Sequence, residues 1–519
     1  MLRKIVSMLF AMLCVIPLMS CSTCEGIEGG WTVMVWLDGD NNLEPFALAD
    51  FNEMEYGLYL AGLTDPSVDG KIKIIVQVDR HAGYDNSSIY TGLNWTETRR
   101  YRIKPDPNNS GLWVSERLDE GLGEVNMGDA SELKNFIEYC QSFFPAEKYA
   151  LILWNHGGGL MKKVSPGESA ADPYNEITKN ICVDETDGDD ELYTGEITDV
   201  LSEEHSVDFI GFDACLMGMI EVAYEYRPGV TGKFGADAIC FSPANEQADG
   251  WDYVRILTRL GGSDNDGDTA DPEDDPCYDA LTVSANEFAE LCAKEYADAE
   301  ADGGYDSLQT QTAVDNTLVA EVKSSMDIFS DAISRVSGYK DIVEVIRGSG
   351  TSSTTPTMNY FNETSSTQWK DWPYFDLYDF AERVLDANMS AEVNTAAVNL
   401  MSAISDYILF SYGDSGYSGF TSGHNGLSFF FTDGDGTYGS GTYLEYQWWY
   451  TSLDTDSVSS GNYYGKLDFC EKGPIDGAVE NWYELIMQMY MTQSLLDTGY
   501  WPAPAYRRYG PVSLFGASR

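Results

Sequence analysis

The stretch DFIGFDACLMGM, residues 208–219, is a short apolar run of strand type that ends abruptly in Asp213-Ala214-Cys215. A cysteine at the carboxyl end of a buried strand in an α/β sheet stands where such folds place their ligand crevices. A lone cysteine in apolar surroundings is more often a small core residue. A second stretch built the same way, YALILW at 149–154, ends in Asn155-His156-Gly157-Gly158-Gly159. A thiol nucleophile needs a base within hydrogen-bond reach, and two neighbouring parallel strands that end at one sheet edge can supply it. The chain has four histidines. His81 follows a strand and is the geometrical rival, His205 lies among charges and reads as solvated, and His424 sits in a glycine-rich loop.

Outward from these two strands, apolar runs and amphipathic segments alternate. Strands are expected at 31–37, 72–78 and 234–241, a hairpin at 90–103 with 111–118, and helices at 44–59, 130–144, 194–203 and 216–226. Strand, helix, strand in succession implies an α/β fold, a mostly parallel sheet covered on both faces. Residues 261–279, rich in Asp, Gly and Pro, read as a linker. Beyond it lie helical stretches at 285–301, 319–346, 376–387 and 391–409, and a strand, GLSFFFT, at 426–432.

His156-Gly157 after one strand and Asp213-Ala214-Cys215 after a later one resemble the clostripain family of cysteine peptidases, in the caspase-like group. Trp31-Thr32-Val33-Met34-Val35-Trp36 followed by Asp40-Asn41-Asn42-Leu43-Glu44 is similar to the family's opening strand and DNNLE signature. The resemblance is specific over about 31–253 and more diffuse towards 450. It implies a caspase-like α/β/α sandwich with helical and α/β C-terminal additions: catalytic core 31–260, acidic linker 261–284, C-terminal region 285–519. It implies an endopeptidase cutting after Arg or Lys, with Cys215 as nucleophile, His156 as base, and the N–H groups of Gly157 and Cys215 as oxyanion donors. Asp213 is then the acid of the pocket for the basic residue, with Asp237 a second candidate. An aspartate capping the helix after Cys215 is the plain alternative for Asp213. A start-of-helix position and a nearby imidazolium are expected to lower the Cys215 pKa. No third member that orients the imidazole is evident. The loop at 242–253 keeps Gly250, Trp251 and Tyr253 of the family pattern but departs from it before them. The rival of another class is a catalytically inactive surface lipoprotein, a binding or adhesion module on the same scaffold.

A formal net charge of −53 argues against nucleic acid, whose phosphates it would repel, and favours cationic partners. Arg3 and Lys4 followed by the apolar run 5–18 form a leader shorter than the ~20 residues of a spanning helix. The segment ends Leu18-Met19-Ser20-Cys21, which resembles a lipobox. Residues 1–20 are thus expected to leave as a signal peptide, with Cys21 lipidated at the head of a tether (21–30). The protein would be anchored to a bacterial membrane outside the cytoplasm, with plain secretion as the alternative. Removing Arg3 and Lys4 would take the charge to −55, since 1–20 holds no acid. Ten cysteines do not make a disulfide scaffold once Cys14, Cys21 and Cys215 are set aside. Cys277 and Cys292 are near enough in sequence to pair, though sequence alone does not assign the bond.

No cofactor is needed for the chemistry. The acidic runs 184–191, 264–275 and 433–435 read as solvated loops. The family's calcium dependence leaves Ca²⁺ open without assigned ligands, and Cys and His spacing does not suit zinc. The long connection 160–181 carries Lys162, Lys163 and Lys179. The resemblance implies that a cut there releases an inhibitory loop, with Lys179 the favoured position for self-processing.

Overall fold

Successive residues of β1 (Trp31–Gly39) feed two different cores. Val33, Val35 and Leu37 pack into one apolar cluster, while Met34 and Trp36 pack into another. Side chains alternate along a strand, so a run that is apolar at every position must be covered on both faces. The same split recurs in β5 (Lys148–Trp154), where Ala150, Ile152 and Trp154 face one layer and Leu151 and Leu153 the other.

The computed structural model describes residues 30–62, 71–86, 92–109, 111–160, 181–262, 278–301, 308–348, 356–360, 373–432, 437–438, 441–442, 464, 467–470 and 479–490. The leader and tether, Cys14, Cys21, Cys24, Cys277, the three loop lysines and the acidic runs 264–275 and 433–435 lie outside the described residues.

After β1 come α1 (Glu44–Leu60), β2 (Ile72–Arg80), β3 (Arg99–Arg102), β4 (Glu116–Arg117), α2 (Ala130–Phe143) and β5. A small hairpin, β6 (Ile181–Asp184) and β7 (Asp190–Leu192), leads to α3 (Thr194–Val200), β8 (Val207–Asp213), α4 (Ile220–Glu225), β9 (Ala236–Phe241) and α5 (Tyr253–Leu260). Then follow α6 (Ala285–Ala301), β10 (Thr310–Asp315), α7 (Val319–Ser334), α8 (Tyr339–Arg347), β11 (Tyr374–Asp376), α9 (Leu377–Ala387), α10 (Ala391–Tyr407), β12 (Ile408–Gly413) and β13 (Ser428–Phe430).

The central sheet has nine strands in the order β12-β10-β9-β8-β5-β1-β2-β3-β4. β2, β1, β5, β8 and β9 are mutually parallel, and the flanking strands are antiparallel. This is the caspase-like α/β architecture. The hairpin expected near 90–118 is present as β3 and β4, with Tyr101 opposite Arg117. β10 and β12 lie beyond residue 260 yet extend the same sheet, so sheet and cores run across the two regions expected from sequence. One expected helix, 319–346, is two, because Gly338 takes φ +75 between α7 and α8.

Candidate active site

In the register of β5 against β8, Trp154 stands opposite Asp213, and Asn155 N–H reaches the Asp213 carbonyl at 3.3 Å. Two residues further along each chain are His156 and Cys215. Gly157 makes their turns adjoin: a Cβ there would lie 2.1 Å from the Cys215 carbonyl oxygen and 3.0 Å from its nitrogen. Only glycine lets the two backbones approach so closely. Gly157 also bridges to Ile181, the first residue of β6. His81 follows β2, which β1 and β5 separate from the cysteine strand, and its ring lies 3.9 Å from Glu185. His205 is buried, bonded to Ser202 and to Glu138 at 3.2 Å, rather than solvated. His424 stacks on Tyr378.

The histidine turn is tied to β1 at two points. Asn155 Nδ2 donates to the Asp38 carbonyl (2.8 Å) and carboxyl (2.7 Å), and Asn155 Oδ1 accepts the His156 N–H. The ring itself meets the DNNLE loop, with His156 Nε2 2.7 Å from Asn42 Oδ1.

The cysteine turn differs from expectation. The helix begins at Ile220, not 216, because Leu216 takes a left-handed φ of +62 and residues 216–218 pair with the loop after β9. Leu216 N–H donates to the Ala244 carbonyl and Gly218 N–H to the Ser242 carbonyl. Cys215 is therefore not at a helix start. Its Sγ accepts the Glu246 N–H at 3.2 Å and lies 3.6 Å from the Glu246 carbonyl. Burial, and next the Glu246 carboxyl, push the thiol up to about 12, the opposite of the expected lowering. Asp213 likewise caps no helix.

Asp213 is buried, accepting from the Tyr253 hydroxyl at 2.8 Å and the Trp251 N–H at 3.3 Å. Trp251 itself covers Gly211, where a Cβ would meet its ring at 2.7 Å. A carboxyl that sequence reasoning passed over, Glu246, lies close enough to Asp213 for their charges to repel, and its Oε1 accepts from Gln311 Nε2 at 3.1 Å. Burial raises Asp213 to about 7, and burial and then the Asp213 charge raise Glu246 well above the usual carboxylate range. Both carboxyls are thus held towards the protonated form. Among the described residues no Lys or Arg pairs with either. Asp237 does not join this pocket. It is exposed at the amino end of β9, near Asp208 and Asp315, at the sheet edge opposite Cys215.

Beside the DNNLE loop, carboxylate oxygens of Asp40, Asp79 and Glu124 come within 4.8 Å of one another, as do those of Glu124, Asp184 and Asp187. Burial and like charges raise Glu124 to about 7, and burial raises Asp184 to about 6. Asp184 and Glu191 are buried, so the run 184–191 is not simply a solvated loop. Convergent oxygen donors are the set a hard cation takes.

An α/β sheet that delivers a histidine turn and a cysteine turn side by side at one edge has the arrangement a cysteine peptidase needs. The clostripain family model matches residues 35–482. Clostripain of Hathewaya histolytica is 36% identical over 477 residues, 88% of this chain and 86% of that protein. The chain belongs to the clostripain family and is a cysteine endopeptidase. Among solved structures, it is similar to a secreted C11 cysteine protease from Bacteroides thetaiotaomicron in complex with an irreversible peptide inhibitor. That match has a TM-score of 0.52 and 17% identity, covering 81% of this chain and 96% of that one. An inactive zymogen C11 protease from Parabacteroides distasonis is similar at TM-score 0.53 and 15% identity, covering 86% and 98%. At that identity the two structures bear on fold.

Proposed function

We propose that this endopeptidase cuts after Arg or Lys, with Cys215 as nucleophile and His156 as the base. The observation that carries the reading is the enclosed Asp213–Glu246 carboxyl pair beside the Cys215 turn, with no cation of the described chain to neutralise it. A guanidinium or ammonium entering beside them favours the ionised form of both, so that protons leave and two carboxylates pair with it. Seating that side chain sets its own carbonyl carbon at the Cys215 turn. The thiol gives its proton to the imidazole as sulfur attacks the carbonyl carbon, and the imidazolium then protonates the leaving amine. The Gly157 and Cys215 N–H groups are the oxyanion donors. Water, activated by the same imidazole, releases the acid product.

The described residues on either side of 161–180 stand at this site, Leu160 buried after the glycine turn and Ile181 bridged to Gly157. A protease of this specificity can therefore cut its own loop, and Lys179, two residues before Ile181, is the position we favour. Lipidation of Cys21 would hold the enzyme at a membrane outside the cytoplasm. Asp40, Asp79 and Glu124, or Glu124, Asp184 and Asp187, would hold a Ca²⁺ ion, which would neutralise their mutual repulsion and would take no part in the peptide-bond chemistry.

The test uses fluorogenic Arg, Lys, Asp and Leu peptides on the full chain. Wild type should cleave the basic pair, and Cys215→Ala and His156→Ala should be inactive while folded. Wild type should also convert to two fragments, the second beginning at Asn180, while Cys215→Ala stays whole. Cleavage after Asp or Leu in preference, or activity in either folded variant, would overturn the reading.

A further inference from the structure

We propose that Asn42 is the positioning residue of the site. Its amide oxygen holds the proton of the His156 ring on Nε2 and so presents the Nδ1 lone pair to the Cys215 thiol. The inference rests on the His156–Cys215 reading above. A carbonyl oxygen has no hydrogen to give, so at 2.7 Å from Asn42 Oδ1 the ring nitrogen Nε2 must be the donor. The nitrogen that donates fixes the tautomer, and the other becomes the base.

Asn42 is exposed, yet the loop that carries it is pinned on both sides. Asp40 accepts from Thr186 N–H (2.9 Å) and hydroxyl (2.7 Å). The fully buried Asn41 donates to the Val183 carbonyl at 2.9 Å, and its own Oδ1 accepts Leu43 N–H at 2.9 Å. On the far side, the Asp38–Asn155 bonds hold the backbone from which the His156 ring projects. The ring is thus gripped at its backbone and at its Nε2 edge, both times from the end of β1. Such a grip matters because the thiol is only partly exposed, and desolvation raises its pKa rather than lowering it. Its proton leaves only to a base already oriented, and the imidazolium that forms keeps its Nε2–H bonded to the amide oxygen.

The experiment compares Asn42→Ala, Asn42→Asp and His156→Ala in the full chain, reading kcat, KM and melting temperature on an Arg peptide. It also follows the His156 ring titration by NMR in a Cys215→Ala background. Asn42→Ala should keep its melting temperature and KM within twofold, lose tenfold or more in kcat, and lower the ring pKa. Asn42→Asp, which still accepts from Nε2–H and adds a charge, should retain most of kcat and raise the ring pKa above that of Asn42. A merely structural asparagine would give neither the rescue nor the opposed shifts. Full kcat in Asn42→Ala beside an inactive His156→Ala would overturn the role of Asn42 alone, as would a folded Asn42→Asp as inactive as Asn42→Ala. Activity in His156→Ala would overturn the dyad itself.

Discussion

Two carboxyls in one enclosed pocket cannot both be ionised without a cation, because each charge raises the cost of the other and burial raises both. Asp213 and Glu246 are accordingly both held towards the protonated form, with Tyr253, Trp251 and Gln311 bonded to them. On the proposed reading, a basic substrate side chain would remove the need for protonation there, and its binding would be coupled to proton release. The KM for an Arg peptide should fall as pH rises from 6 to 8, through the Asp213 value of about 7, and Glu246→Gln should flatten that slope. A KM independent of pH in wild type would count against the coupling. Asp213→Asn leaves the cation one charge short. A charge-assisted hydrogen bond of about 1.5–3 kcal/mol predicts a loss of roughly ten- to hundredfold in kcat/KM on basic peptides. At this scale Asp213 was singled out because its place two residues before Cys215 matches the family pattern. Glu246 was not: the loop 242–250 has no periodicity, and only its fold-back onto residues 215–218 brings the acid to the pocket. Asn42 was quoted as part of a signature, but its partner could be named only once β1 was known to neighbour β5.

At the scale of elements, the site is the meeting of two turns that leave neighbouring strands, and the strands themselves were plain in the sequence. β5 and β8 are apolar at nearly every position, as strands buried on both faces must be. The helix after Cys215 was misplaced by four residues because Leu216, Met217 and Met219 carry the spacing of a helical face. Backbone bonds from Leu216 and Gly218 to the loop after β9 override that local propensity. The C-terminal strand β13 completes the support, with Ser428 N–H and hydroxyl both donating to the Gly218 carbonyl at 2.8 and 2.9 Å. Tyr374 of β11 donates to the Gly158 carbonyl at 2.8 Å. Both turns therefore depend on residues beyond 370. The tightest contact lies between the turns themselves. Gly157→Ala would drive a methyl into the Cys215 carbonyl at 2.1 Å. It should abolish most activity and lower the melting temperature, although no reacting group is changed. A Gly157→Ala protein with normal kcat and stability would show that the two turns can part without cost.

At the scale of the molecule, the sheet's β10 and β12 edge escaped the sequence because Thr310, Gln311 and Thr312 are polar yet buried. Thr310 pairs its hydroxyl with Ser242 at 2.8 Å, and Gln311 bonds Glu246, so the segment has no apolar alternation to read. The charge of −53, by contrast, was visible at once, and its consequence lies in where the acids are. Many carboxyls are held above their ordinary values by burial: Glu55, Asp213, Glu221 and Glu225 to about 7, Glu53 to about 8, and Asp184 and Asp376 to about 6. In the unfolded chain these groups give up their protons near pH ~4. Between that pH and about 8 the folded chain binds more protons than the unfolded one, so its stability falls as pH rises. The few carboxyls held below their usual range, Asp119, Asp279 and Glu287, act in the opposite sense, but their contribution is lost only below pH ~4. Thermal unfolding should therefore occur at a higher temperature at pH 5.5 than at pH 8, in the same interval over which Arg-peptide binding improves. A melting temperature that climbs from pH 5.5 to 8 would mean that the buried acids are ionised and neutralised in the folded protein.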